Sequence, residues 1–188
     1  TSGECASPVV ANNAYNRIQS LCASAANGDF APLIMIDNDK IKKLYPKLTV
    51  KKFWPTLNNT IAGLFHVFNL LATKNSDYTT FDPADYDTVM KTKGCMIFGV
   101  TTVKDVENET SIATALKSNL EKTLLATGFD LTTAQGTACI VVGGTTIYEA
   151  VVHRGIYEDP KKDRLVAYTM VGGLDAPSKR LEELRKFL

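Results

Sequence analysis

One stretch of this chain leaves little freedom of interpretation. From Phe53 to Ala72, the residues Phe53, Leu57, Ile61, Leu64, Phe65, Phe68 and Leu71 recur at three- and four-residue steps. That spacing draws one apolar stripe along a helix, punctuated by Asn58, Asn59 and His66. At about 1.5 Å per residue the helix is about 30 Å long, enough to cross an entire small domain. Its most apolar part, Ile61 to Ala72, is too short to cross a bilayer and contains His66 and Asn69.

The rest of the composition narrows the class further. The chain has 188 residues, 45% of them hydrophobic, with 21 Lys and Arg against 20 Asp and Glu. This is a globular chain of one domain or one and a half, not a disordered one. A net charge of +1 disfavours a mainly electrostatic partner such as duplex nucleic acid or an anionic membrane. The absence of an initiator Met and of a leader before Thr1 suggests an excised piece or a processed product. Cys5, Cys22, Cys95 and Cys139 form no CxxC pair and have no His at metal-ligand spacing. They read as reduced structural thiols of a cytoplasmic protein, with no metal site.

Around the long helix the chain alternates. The first dozen residues read as a loop, Ala14 to Ala26 as a helix closed by Asn27-Gly28, and Pro32 to Asp37 as a buried strand. After a polar loop from Lys74 to Phe81, Asp82-Pro83 opens a short helix through Met90. Strands are predicted at Gly94–Val103, Ala138–Val142 and Leu165–Val171, the last two stopped by the pairs Gly143-Gly144 and Gly172-Gly173. Helices are predicted at Ser111–Leu125, Thr146–Tyr157 and Pro177–Leu188. The pattern is α/β: a long central helix followed by a small α/β domain with a three- to four-stranded sheet. Three segments follow: 1–73, 74–93 and 94–188.

Several residues could carry chemistry. Asp82 and Asp85, three apart where a loop becomes a helix, could bind a cation or orient a water, or could simply start the helix. Trp54 and Asn58 lie one helical turn apart and share a face, an arrangement that suits stacking on a nucleobase and reading its edge; core packing is the alternative. Asn38 follows a strand, where α/β proteins gather ligands and where turns also use Asn. The glycine pairs lack the context of a known phosphate loop and are explained by turn chemistry. Lys40, Lys42, Lys43, Lys47, Lys51 and Lys52 form a basic cluster beside Tyr45, Phe53 and Trp54, either a solvated face or a nucleic-acid surface.

In chain order, three of these signals resemble successive motifs of the tubulin/FtsZ superfamily: Ile36-Asp-Asn-Asp-Lys-Ile41, Trp54-Pro-Thr-Leu-Asn58 and Phe81-Asp-Pro-Ala-Asp-Tyr-Asp-Thr-Val-Met90. The resemblance runs from about Val9 to Asp175. It implies that Asn38 contacts guanine, that Trp54 stacks on it and that Asn58 pairs with it. The similarity of Tyr15-Asn16 to the pair after the ribose-contacting loop implies Asn13 near the ribose. Asp82 and Asp85 would belong to the loop that each subunit inserts into its neighbour's GTP site. The resemblance thus implies a GTP- or GDP-binding protein of the cytoplasm, with Mg accompanying GTP. It would polymerise into filaments for division, cell shape or plasmid partition, without nucleic acid and without inserting into a membrane.

Two departures shape that expectation. The family's acid loop usually carries Asn two residues before the first Asp, and this chain has Thr80; a hydroxyl does not reproduce an amide's geometry. The Gly-rich loop that cradles GTP phosphates is also absent, so the phosphate-binding half is expected to lie outside these 188 residues and the fragment alone is expected to be inactive. Two alternatives stay open: a non-hydrolysing assembly module of the same fold, and a nucleic-acid-binding α/β module. The family's small domain usually ends on a fourth strand, whereas a helix is predicted to close this chain.

Overall fold

The computed structural model describes residues 7–37, 45–103, 109–121, 128–143, 156–158 and 165–187. Helix α1 spans Pro8–Asn27, strand β1 Leu33–Ile34 and the long helix α2 Val50–Leu71. Helix α3 (Pro83–Met90) follows the polar loop, then β2 (Cys95–Val103), α4 (Glu109–Glu121) and a 3-10 turn (Leu131–Thr133). Strands β3 (Gly136–Gly143), β4 (Ile156–Glu158) and β5 (Leu165–Leu174) lead to the helix α5 (Ser178–Arg185). The α/β expectation is met. The strands form one sheet of order β1-β2-β5-β3-β4, in which β5 runs antiparallel to both β2 and β3, while β1 and β4 lie parallel to their neighbours.

Layering follows from alternation along the strands. Met96 and Phe98 of β2, Ile140 of β3 and Met170 of β5 face α2, meeting Leu64, Phe68 and Leu71. On the other face Cys95, Ile97 and Val171 pack with Ile18 and Cys22 of α1 and Leu184 of α5. With both faces covered, the middle strands are buried at consecutive positions, which is why they read as unbroken apolar runs. Phe68 and Phe98, ring centroids 5.5 Å apart, join the long helix to the sheet.

Four expectations need correction. Residues 8–12 are helical, not loop: Ser7 and Pro8 start α1, and Ala11 is fully buried, so packing extends the helix where Asn12 and Asn13 weaken its local signal. The strand expected over Pro32–Asp37 is only two residues long, because its ladder meets only Cys95 and Met96. The helix expected at Thr146–Tyr157 does not reach its end: Ile156 and Tyr157 lie in β4, paired with Val141 and Val142, while residues 144–155 lie outside the described residues.

Fourth, Gly172-Gly173 does not end the third strand. β5 continues to Leu174, and its register against β2 shifts between Ile97↔Val171 and Cys95↔Leu174, so three steps on β5 oppose two on β2. Gly173 absorbs this bulge at φ +75°, and a Cβ on Gly172 would stand 2.5 Å from the Thr92 hydroxyl oxygen. The glycines serve a bulge and a close approach. The bulge also changes the strand's parity, so that Leu174 shares a core with Val171. The long helix begins at Val50, three residues before the predicted start, and α3 falls where it was predicted.

Candidate functional site

The candidate residues on α2 and α3 occupy two places, at opposite ends of the long helix. Near its N-terminus, Trp54 is 53% exposed, its ring edge-on to Phe53 at a centroid distance of 5.2 Å. Asn58, one turn on, is also exposed, so the two share an accessible face. Burial of this part of α2 falls on Leu57 instead. The face offers an aromatic plane and a side-chain amide to solvent, a combination that can stack on a planar heterocycle and bond to its edge. Asn13 lies on the exposed side of α1. Asn38 lies outside the described residues, as do Lys40, Lys42 and Lys43; Lys47, Lys51 and Lys52 are exposed.

The acid loop is built from its buried residue outward. Phe81 is 1% exposed and packs against Phe68 at 6.5 Å and Tyr86 at 6.3 Å between ring centroids. Its neighbour Asp82 therefore leaves the core at a fixed point. The Asp82 carboxylate accepts hydrogen bonds from the backbone N–H groups of Ala84 (2.8 Å) and Asp85 (2.9 Å), capping α3. Asp85 follows in the first turn, half-buried, where the helix dipole favours its charge. Before them, the Thr80 hydroxyl oxygen accepts from the Ser76 N–H at 3.1 Å, and Ser76 Oγ accepts from the Tyr78 N–H at 3.1 Å. Burial pushes the Tyr86 phenol upward, an effect opposed by its hydrogen bond to Asn69.

The structure thus brings Asp82 and Asp85 together, and Trp54 with Asn58, but not the two pairs with each other. Fourteen residues separate Trp54 from Phe68, the residue under the acid loop, which is about 21 Å along the helix. Sequence reasoning missed Phe81, although an aromatic between Thr80 and Asp82 in a polar loop was a usable signal. It also missed a buried ion pair. Asp37, 3% exposed, meets Arg180 of α5, with Nε 3.2 Å from Oδ2 and Nη2 3.4 Å from Oδ1. No local pattern announces a partner 143 positions away.

Two more features bear on the site's surroundings. The thiols of Cys22 and Cys95 touch at 3.7 Å in the core between α1 and β2, and the contact holds the Cys95 thiol well above its ordinary range and lowers that of Cys22. A cavity of about 680 Å³ opens between α4, the 3-10 turn and the start of α5, edged by Lys117 and Lys179. Among the described residues, no helix is long and apolar enough to cross a membrane.

A sheet bridged by one long helix, with an aromatic-amide face at the helix start and a capped acid pair at its end, defines a class. Residues 67–151 match the family model described as tubulin/FtsZ-like protein TubZ-like, C-terminal domain. No curated protein sequence matches the chain. Among solved structures, GDP-form protofilaments of Bacillus thuringiensis serovar israelensis TubZ superpose with a TM-score of 0.81 at 17% identity, over 99% of this chain and 55% of theirs. A GTPγS-bound protofilament of CetZ2 from Haloferax volcanii gives 0.66 at 14% identity, over 100% of this chain and 59% of that one. The empty FtsZ dimer of M. jannaschii gives 0.55 at 17% identity, over 76% and 48%. The fold of the chain is thus that of the C-terminal portion of these tubulin/FtsZ-like structures, and the family-model match lies within it over residues 67–151. The chain spans about half the length of the solved structures it matches.

Proposed function

We propose that this chain is the base-reading and activating part of a GTP-dependent, filament-forming protein. The observation that carries the reading is the placement of Trp54-Asn58 and Asp82-Asp85 toward opposite ends of α2. A nucleotide read at one end is out of reach of the acids at the other, so the acids serve the nucleotide of a second copy. A contact in which one end of a molecule meets the opposite end of the next is heterologous, and when it does not close it produces a filament. Trp54 stacks on guanine; Asn58 and Asn38 bond its edge; Asn13 approaches the ribose.

Each acid has its own role. Asp82, already bound by two backbone N–H groups, holds the start of α3 against the neighbour, and Asp85 orients the attacking water. Neither subunit owns a complete site, so turnover follows assembly. Mg would travel with the nucleotide's phosphates. The related protofilaments with GDP and GTPγS support this reading. The work belongs to the cytoplasm, in division, cell shape or plasmid partition.

The test is Asp85→Ala in the intact protein: turnover is expected to fall by roughly 10²–10⁴-fold with GTP binding retained. Unchanged turnover would leave the acids as helix-start residues only. A second reading, assembly without hydrolysis, is favoured by one observation. The Thr80 hydroxyl is engaged by Ser76 within its own loop, where the family's loop usually carries an amide. Nucleotide-dependent pelleting with no phosphate release would select it.

A further inference from the structure

We propose that Cys22 and Cys95 form a reversible redox staple, in which a small hydroperoxide joins the two thiols in a disulfide that fastens α1 to β2. The inference does not depend on the nucleotide reading above. The two sulfurs already touch at 3.7 Å in the core between helix and sheet, although 73 positions separate them in the chain. A disulfide holds its sulfurs about 2.0 Å apart, which leaves about 1.7 Å to close from the observed contact. The backbones on either side are held by other contacts. The Gly94 N–H, next to Cys95, donates to the Ala25 carbonyl at 2.9 Å, one turn of α1 beyond Cys22. Gly94, at φ +99°, lies so close to β5 that a Cβ there would stand 2.8 Å from the Leu174 carbonyl oxygen. The remaining approach therefore falls to rotation of the two side chains.

Buried thiols are ordinarily inert toward oxidants, and Cys139 on β3 fits that rule, since burial pushes its thiol up to about 11. The pair differs. Cys22, at 6% exposure against 1% for Cys95, is the sulfur that an oxidant meets first, and contact with Cys95 lowers its thiol. Hydrogen peroxide gives one oxygen to the Cys22 thiolate as its O–O bond breaks, leaving a sulfenic acid, and the other oxygen departs as water. The Cys95 thiol then attacks the sulfenic sulfur, forms the S–S bond and releases a second water. Two thiols lose two electrons and the peroxide gains them. With the resolving thiol already in contact, the sulfenic acid is captured before it is oxidised further. The ring so closed contains the whole of α2 and α3, and with them Trp54, Asn58, Asp82 and Asp85. Oxidation restrains the unfolded chain over that stretch, and reduction releases it.

The experiment treats the intact, reduced protein with hydrogen peroxide, maps disulfides by mass spectrometry after tryptic digestion without reductant, and follows thermal unfolding. The expected product joins the peptide Ile18–Lys40 to the peptide Gly94–Lys104 at two hydrogens below their summed masses. The melting temperature is expected to rise by about 5–10 °C, and dithiothreitol to reverse both changes. Cys22→Ala is expected to remove both; if it does not fold, Cys95→Ala serves the same purpose, and the unsubstituted protein decides without either. Both thiols left free, Cys22 carried on to sulfinic acid, or either cysteine linked to a different one overturns the staple. A Cys22–Cys95 link that leaves the melting temperature unchanged or lowers it overturns the fastening role, since the bond would then cost the fold as much as it restrains the chain.

Discussion

The two ends of α2 are held by different means. At its C-terminal end Phe68, Leu71 and Ala72 are buried, and Phe81 fills the space beneath the acid loop. At its N-terminal end Trp54 is largely exposed, and in the first two turns burial falls on Leu57. The acid end owes its shape to the small domain's own core. The base end presents a face. Under the proposed function, the acid end delivers a group to a partner and must arrive already shaped, whereas the base end receives a planar ligand and needs accessible area; the change of burial along the helix suits both demands.

Mutations separate the ends most sharply through stability. Phe81→Ala is expected to cost about 3–5 kcal/mol by removing a fully buried ring, whereas Trp54→Ala is expected to stay within about 0.5 kcal/mol. Denaturant titration of the pair checks this, and a comparable loss at Trp54 would mean that its ring is core. A smaller effect probes the acid end alone. Asp82→Ala is expected to cost about 1 kcal/mol through the lost cap, and Asp82→Asn much less, because an amide oxygen still caps. If both cost the same, the charge and not the cap is what α3 needs.

The smallest effect is one of pH. Tyr86 titrates above its ordinary value of 10.0 in the folded chain, so its contribution is fully present below pH 10 and is lost as pH rises through the folded value. Tyr86→Phe is expected to flatten the alkaline fall in melting temperature, and Tyr78→Phe, at an exposed phenol, to leave it unchanged. An equal response from both would place the alkaline loss elsewhere.

Much of this was readable before any coordinates. The long helix announced itself through its apolar steps, and α3 through Asp82 followed by Pro83, because caps and periodicity act within a few residues. The candidate pairs Trp54-Asn58 and Asp82-Asp85 were legible for the same reason. The start of α1 was not, since Ala11 is buried by what it meets and not by its neighbours in sequence. The Gly172-Gly173 bulge was misread as a turn, because glycine marks both and only the strands beside it distinguish them.

By itself, then, the sequence determined an α/β chain with one domain-length helix and the spacing of two candidate residue pairs on it, because those properties follow from local periods. Only the tertiary structure decided that the acid pair sits against the far end of that helix, that Phe81 anchors the acids, and that Arg180 pairs with Asp37. Such contacts join residues distant along the chain, and their free energy comes from burial and pairing that exist only once the sheet has formed.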